Sequence, residues 1–183
     1  MQEAIVESEA MRGLVLDYLV SSGFGPAAKT FLEEMGRASD SCLKHEASLA
    51  VRSQVREAIV ACRFKDAIEL LNDIDVDILD DHADLYFELC LAHFVHVCSG
   101  TAVVDLLAFA TNELRPLLRE KHLESFEAAM ALLVFEHPRA SCPDMFASAL
   151  LDNLADKVNA AVLAALQEDE HHAIHERIGA VLG

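Results

Sequence analysis

The chain has 183 residues, of which 53% are hydrophobic, and its 31 acidic residues against 14 basic ones give a net charge of -17. This charge opposes binding to phosphate backbones and to anionic lipid surfaces, so we expect neither nucleic acid nor a membrane as a partner. No stretch reaches the roughly 18 to 20 uninterrupted apolar residues of a membrane helix, and the N-terminus is acidic where a secretion signal would be basic. The five cysteines have irregular spacings, which indicate reduced thiols, mostly in the core, of a cytoplasmic or nuclear protein.

The first predicted element is a pair of short helices between Leu14 and Gly36. Gly23 is expected to end the first helix and Pro26 to begin the second, the usual places of these residues at helix ends. Because two helices of this length are only marginally stable in water, we expect the pair to pack against a second copy or a relative. The residues predicted for this dimer interface are Leu14, Val15, Tyr18, Leu19, Phe24, Ala28, Phe31 and Leu32.

A polar linker, Arg37 to Lys44, is predicted to separate this hairpin from a series of helix pairs. An amphipathic helix from Leu49 to Cys62 begins the series, and a turn at residues 63–65 follows it. The apolar positions of this middle block are predicted to form its core or to contact a partner, and core is the favoured interpretation for most of them. These positions are Val55, Ile59, Ala67, Ile68, Leu71, Leu85, Phe87, Leu89 and Phe94.

The C-terminal third continues the helical pattern with more frequent breaks. Residues 99–101 end one helix and cap the next, while Pro116, Pro138 and Pro143 divide the following segment into short helices. A final helix is predicted from Asp169. Since no alternating strand pattern occurs anywhere in the chain, the sequence predicts an all-α fold.

Three histidines, His171, His172 and His175, have spacings that place pairs of them on one helical face. This arrangement permits a metal site, and a metal-dependent enzyme is therefore one alternative for the function. Their acidic neighbours favour a solvated helix instead. A second group of possible metal ligands consists of Cys90, His93, His96 and Cys98. On one helix these side chains spread over more than half of the circumference, so they cannot all bind one ion.

Other motifs fail on their geometry. Asp73, Asp75 and Asp77 begin like a calcium loop, but the sixth position is Ile78 instead of Gly. Asp75 is more simply explained as a cap of the helix that follows. The stretch of residues 23–28 fits a dinucleotide fingerprint, yet a helix precedes it where that fingerprint needs a strand. We therefore predict no catalytic, cofactor-binding or metal-binding residues and no enzymatic activity.

The N-terminal hairpin closely resembles the LisH motif. The matching elements are Leu14, Asp17-Tyr18-Leu19, Gly23-Phe24, Ala27-Ala28, Phe31 and Glu34. Ala27 departs from the pattern, because the family often has Thr or Ser at that position. LisH motifs imply homodimers or heterodimers, so this resemblance agrees with the interface that the apolar pattern predicts.

The rest of the chain resembles the two domains that follow LisH in the LisH-CTLH-CRA family. The CTLH-like positions are Arg52, Val55, Ile59, residues 67–71, Ile78-Leu79, residues 85–89 and Phe94-Val95. The CRA-like segments are residues 105–110, residues 129–136, Pro138, Pro143 and residues 157–163. We predict a LisH motif over residues 9–41, a CTLH domain over residues 46–104 and a CRA domain over residues 101–183.

The resemblance implies a function as well as a fold. Within the family, the chain is most similar to the small non-catalytic scaffold proteins of GID/CTLH-type E3 ubiquitin ligases, which act in ubiquitin-dependent protein degradation. Their expected partners are a RanBPM-type LisH-CTLH-CRA protein, the RING subunits and a substrate receptor, and the expected location is cytoplasmic and nuclear. An alternative is a Topless-like corepressor module that binds leucine-rich repression peptides.

Overall fold

The computed structural model describes residues 2–36 and 46–182, with side chains described for residues 9–36 and 48–166. The predicted all-α class is confirmed, since the described backbone forms helices and no strands. The predicted linker from Arg37 to Lys44 lies outside the described residues. The helices are α1 (Gln2–Ser21), α2 (Gly25–Glu34), α3 (Glu46–Val60), α4 (Phe64–Ile74), α5 (Asp77–Asp81), α6 (Ala83–Val97), α7 (Val103–Phe109), α8 (Arg115–Leu117), α9 (Leu123–Ala131), α10 (Pro138–Ser141) and α11 (Ser148–Leu182).

The turn between α1 and α2 has the predicted chemistry. Gly23 follows the end of α1 with a φ of +77°, a conformation that side chains with a Cβ rarely adopt. Pro26 lies in the first turn of α2, where its missing N–H costs no helical hydrogen bond. The first helix has 20 residues and is longer than the motif alone predicts.

The turn between α3 and α4 lies slightly earlier than predicted. Cys62 has a φ of +59° and makes the turn, while Phe64 already belongs to α4. The sequence offers no glycine there, so hydrophobic spacing alone misplaced the break.

The start of α5 is supported by a carboxylate. Asp75 Oδ1 accepts a hydrogen bond from the Asp77 N–H at 2.9 Å. The N-cap of α5 is Val76, so the predicted cap at Asp75 is wrong by one residue, although the Asp75 side chain still accepts from the first N–H of the helix.

Helix α6 is buried on two sides and joins two hydrophobic clusters. Leu85 and Leu89 face a cluster built from α3, α4, α5 and α11. Phe87, Cys90 and Phe94 face a second cluster that includes α7 and α9. A helix with apolar residues around its circumference needs such burial on both sides. The two clusters therefore pack around one shared helix.

The C-terminal third follows two of the three predicted prolines, because Pro116 lies inside α8 at the end of a continuous helical stretch, residues 103–117, and does not divide it. Residues 99–101 lie between α6 and α7, but the predicted cap is wrong, since the N-cap of α7 is Ala102 and it makes no capping side-chain hydrogen bond. Pro138 begins α10, and Pro143 begins a 3₁₀ turn, Pro143–Phe146. The predicted separate helix from Asp169 is wrong, because that residue lies within α11, a continuous helix of 35 residues. The pattern seen at Asp169 is only a change in polarity along one helix. None of the helices searched among the described residues has the length and apolarity needed to cross a membrane.

The cysteines are less buried than predicted. Of the four described cysteines, only Cys90 is buried, and Cys62, Cys98 and Cys142 are half-buried. Burial raises the pKa of the Cys90 thiol to about 11, which keeps it protonated and unreactive at neutral pH. Cys42 lies outside the described residues.

Candidate partner-binding surface

The inner face of α1 packs against residues of the same chain. Leu16, Leu19 and Val20 lie against a small cluster that has its own buried centre. That centre consists of Ala28 and Leu32 from α2 and Leu49 from α3. Side chains from both hairpin helices thus cover Leu49, and the hairpin gains part of its support within one chain.

The outer face of α1 carries a second apolar surface, which nothing in the described chain covers. Met11, Leu14, Val15 and Tyr18 are 62%, 66%, 38% and 62% exposed. Their spacing of i, i+3, i+4 and i+7 places them in one line along the helix, and we call these four residues the outer stripe. Because burying apolar side chains is favourable, a helix that is apolar on two sides favours a partner on each.

The structure divides the eight residues predicted for a dimer interface. Leu14, Val15 and Tyr18 belong to the outer stripe, whereas Leu19 faces inward. Phe24 is half-buried beside Tyr18, with ring centroids 6.3 Å apart. The remaining three lie on α2, where Phe31 is half-buried and Ala28 and Leu32 are buried within the chain. The dimer interface itself stays a prediction, and Leu14, Val15 and Tyr18 are its exposed part, to which the structure adds Met11.

A buried polar contact holds the C-terminal end of α1 against the rest of the protein. Arg52 on α3 is 3% exposed. Its Nη1 donates hydrogen bonds to the Val20 carbonyl at 3.1 Å and to Asn159 Oδ1 at 2.8 Å. Asn159 on α11 in turn donates from Nδ2 to the Ser21 carbonyl at 2.8 Å. Residues from α1, α3 and α11 therefore meet at one point.

Arg56, one turn after Arg52 on α3, extends this contact. Its Nε donates to the Ser22 carbonyl at 3.0 Å, and its Nη2 pairs with Asp156 of α11. The guanidinium lies 4.4 Å from the centre of the Phe24 ring, a favourable cation–π arrangement. We call Arg52, Arg56 and Asn159 the hairpin anchor.

The hairpin anchor provides hydrogen-bond donors for the unpaired carbonyls at the C-terminal end of α1. The last carbonyls of a helix have no partner within the helix and carry partial negative charge. Two guanidinium groups and an amide satisfy the carbonyls of Val20, Ser21 and Ser22. Burial lowers the pKa of Arg52, as desolvation of a cation does. The direction of the hairpin is consequently set by α3 and α11.

Replacing Gly23 with alanine is expected to destabilise this junction. A Cβ at residue 23 would lie 2.8 Å from Asn159 Oδ1, and the positive φ disfavours any side chain there. We expect the free energy of unfolding to fall by about 2 kcal/mol, measured by urea denaturation. Gly13→Ala is the matched control, because its Cβ would meet no atom within 4 Å. Equal stability of Gly23→Ala and the parent chain would contradict the close contact.

The residues predicted for the middle block lie mostly in the two large clusters. Val55, Ile59, Ala67, Leu71, Leu85, Phe87, Leu89 and Phe94 are buried. Ile68 is half-buried and packs against both clusters. Their placement agrees with a core role, and it leaves Leu14, Val15 and Tyr18 as the exposed part of the predicted contact residues.

The sequence-predicted metal candidates are placed as follows. The side chains of His171, His172 and His175 lie outside the described residues. In the described part, Cys90 is buried in the second cluster, and His93 packs between Phe64 and Phe109 with ring centroids 6.2 and 5.4 Å away. Burial lowers the pKa of His93. Among the described residues, no group of three or more His, Cys, Asp or Glu side chains could hold a metal ion.

Sequence reasoning missed most of the hairpin anchor. The sequence offers Arg52 only as a matching position of the CTLH-like block and Asn159 only as part of the CRA-like segment 157–163, and no motif includes Arg56. The sequence gives little indication that these side chains meet, because arginines on a helix are usually solvated and Arg52 and Asn159 are 107 positions apart in the chain. A buried arginine is informative only once its burial is known.

The fold defines a class of protein: an all-helical protein, over the described residues, with an anchored N-terminal hairpin. Residues 48–182 match the family described as CTLH/CRA C-terminal to LisH motif domain, and residues 13–34 match LisH. The chain belongs to this family of LisH proteins with a C-terminal CTLH/CRA domain.

Several curated relatives resemble the chain over most of its length. "Glucose-induced degradation protein 8 homolog" of Dictyostelium discoideum is 33% identical over 177 residues, which cover 93% of this chain and 75% of the relative. "Protein GID8 homolog" of Arabidopsis thaliana is 32% identical over 172 residues, or 90% and 68% of the two chains. "GID complex subunit 8" of Schizosaccharomyces pombe is 33% identical over 141 residues, or 71% and 58%.

Proposed function

We propose that the chain is a non-catalytic scaffold subunit of a GID/CTLH-type E3 ubiquitin ligase. Its proposed partners are a RanBPM-type LisH-CTLH-CRA protein, the RING subunits and a substrate receptor, and its proposed location is the cytoplasm and nucleus. The names of the relatives support membership of such a complex. The role within the complex rests on the surfaces of this chain.

One observation carries the scaffold role: α1 presents the outer stripe to solvent while its inner face packs against α2 and α3 of the same chain. A docked helix with a free apolar face is ready to bind a second helical hairpin, from a second copy or a relative. Burial of Leu14 and Tyr18 against such a partner would contribute about 1.5 to 3 kcal/mol for each side chain.

The proposed mechanism is geometric. A scaffold that holds a recruited substrate near a catalytic subunit raises the effective concentration of the reacting groups without taking part in the chemistry. The hairpin anchor fits this role, because it fixes the direction in which the outer stripe points. The buried polar side chains of the described residues are all hydrogen-bonded within the protein, which supports a structural use of Arg52, Arg56 and Asn159.

Affinity purification of the tagged full chain from its native cells, followed by mass spectrometry, tests this proposal. We expect to recover a RING protein together with a SPRY-containing LisH relative. The control is the tag alone, expressed at the same level. Recovery of transcription factors with leucine-rich repression motifs, and of no RING protein, would favour the corepressor instead. Recovery of neither group would contradict the scaffold proposal.

A further inference from the structure

A cavity of about 620 Å³ lies between α6 and α11, on a part of the protein that the proposed function does not use. The 3₁₀ turn Pro143–Phe146 also contributes to its lining. None of the described hairpin residues line it, so the cavity is separate from the outer stripe. Its volume is within the range of about 300 to 1,000 Å³ in which protein cavities accept ligands.

The walls of the cavity are apolar. Phe87, Leu91 and Val95 of α6 recur every four residues and line one side. Phe146 and Leu150 line the cavity from the 3₁₀ turn and from α11. Leu150 is 55% exposed, so a ligand could cover apolar surface that is now in water.

The lining also contains ionised side chains of both signs. Glu88 is paired with Lys157, with Oε2 and Nζ 2.7 Å apart. Asp84 is shared by Arg119 at 3.1 Å and by Lys121, and its pKa is lowered chiefly by the hydrogen bond from Lys121. Both carboxylates of the lining are therefore already neutralised by neighbouring cations.

Arg139 is the one cation of the lining that forms no ion pair with the two lining carboxylates. Its guanidinium lies 4.9 Å from the centre of the Phe146 ring, and no carboxylate of the described residues forms an ion pair with it. The lining thus has three cations, Lys121, Arg139 and Lys157, against two carboxylates. In a chain with a net charge of -17, this local excess of positive charge favours an anionic ligand.

We infer that this cavity binds an acidic peptide segment of a partner protein, with bulky apolar side chains in the cavity and carboxylates near Arg139. A peptide suits the lining because it supplies apolar anchors for the walls and a carboxylate for Arg139. A nucleic acid would bring a continuous row of phosphates, which the acidic remainder of the chain repels. The inference goes beyond the scaffold proposal and stands without it.

Selection of a randomised twelve-residue peptide library on the immobilised full chain tests the inference. We expect the enriched peptides to be rich in Asp or Glu and to contain Leu or Phe. The affinity of an enriched peptide is then measured by fluorescence anisotropy. We expect Arg139→Glu and Leu150→Asp each to weaken binding at least about tenfold, since one reverses a rim charge and the other places a charge at the apolar wall.

Two matched variants serve as controls. Arg115→Glu makes the same charge change at an exposed arginine outside the cavity, and Leu107→Asp alters a leucine that is 45% exposed on α7. Both are expected to bind the peptide like the parent chain. The inference is overturned if no peptide is enriched, if the enriched peptides are neutral or basic, or if the controls lose as much affinity as the cavity variants. Tighter Arg139-dependent binding of phosphatidylserine vesicles or a single-stranded oligonucleotide would also overturn it.

Discussion

Replacing Arg52 with methionine is expected to lower the free energy of unfolding by about 3 kcal/mol. Methionine keeps much of the length of the side chain but removes its donors, so the Val20 carbonyl and Asn159 Oδ1 lose their hydrogen bonds from Nη1. A buried acceptor left without a donor costs about 1 to 3 kcal/mol. Urea denaturation followed by circular dichroism measures the change.

The local character of this effect is testable as well. We expect amide hydrogens of α1 to exchange faster in Arg52→Met than in the parent chain, while those of α6 keep their relative protection, because the hairpin opens before the shared core. Arg63→Met is the matched control, since the Arg63 side chain is 52% exposed and, among the described residues, its ion pair is with Asp66 in the first turn of α4; we expect a change within about 0.5 kcal/mol. Similar losses in both variants would argue against the hairpin anchor.

The double substitution Leu14→Asp with Tyr18→Asp is expected to weaken association through the hairpin by at least about 100-fold. Both side chains are more than 60% exposed in the single chain, so the folded monomer loses little when they change. In a complex, each new carboxylate would be buried in an apolar interface without a partner. Light scattering over a concentration series measures the association, and circular dichroism should show unchanged helicity.

A control for this experiment places the same charges elsewhere. Val104 and Leu107 on α7 are 76% and 45% exposed, and their double substitution by Asp should leave hairpin association unchanged. If the mass of the Leu14→Asp, Tyr18→Asp variant equals that of the parent at every concentration, the outer stripe is not an association surface. If the α7 variant dissociates instead, the contact lies on α7.

The local elements of the hairpin could be predicted because their causes are local. Gly23 and Pro26 act on the backbone of their own residues, so the turn was predictable without any knowledge of packing. The turn at Cys62 was not, because nothing in its side chain favours a φ of +59° and the packing of α3 on α4 imposes it. The first turn was predicted correctly because its cause is local, and the second was misplaced because its cause is the packing of two helices.

The candidate surface was predictable only in part. The apolar spacing of α1 indicated a helix that needs a partner, yet it could not assign its two apolar sides. The prediction groups Leu19 with Leu14 and Tyr18, and the structure separates them, since Leu19 packs against the small cluster between the hairpin and α3 while the other two face solvent. Which side is covered depends on how the hairpin packs against α3, and the apolar spacing of α1 contains no information about that packing.

The sequence by itself determined the helical class, the hairpin, its turn residues and the family to which the chain belongs, because these depend on residue spacing and backbone chemistry. Only the tertiary structure decided that Arg52, Arg56 and Asn159 meet at the end of α1, and that residues of α6 and α11 line one open cavity with three cations against two carboxylates. The physical reason is the distance along the chain. Contacts between residues about 100 positions apart are set by how whole helices pack, and no local pattern records that packing.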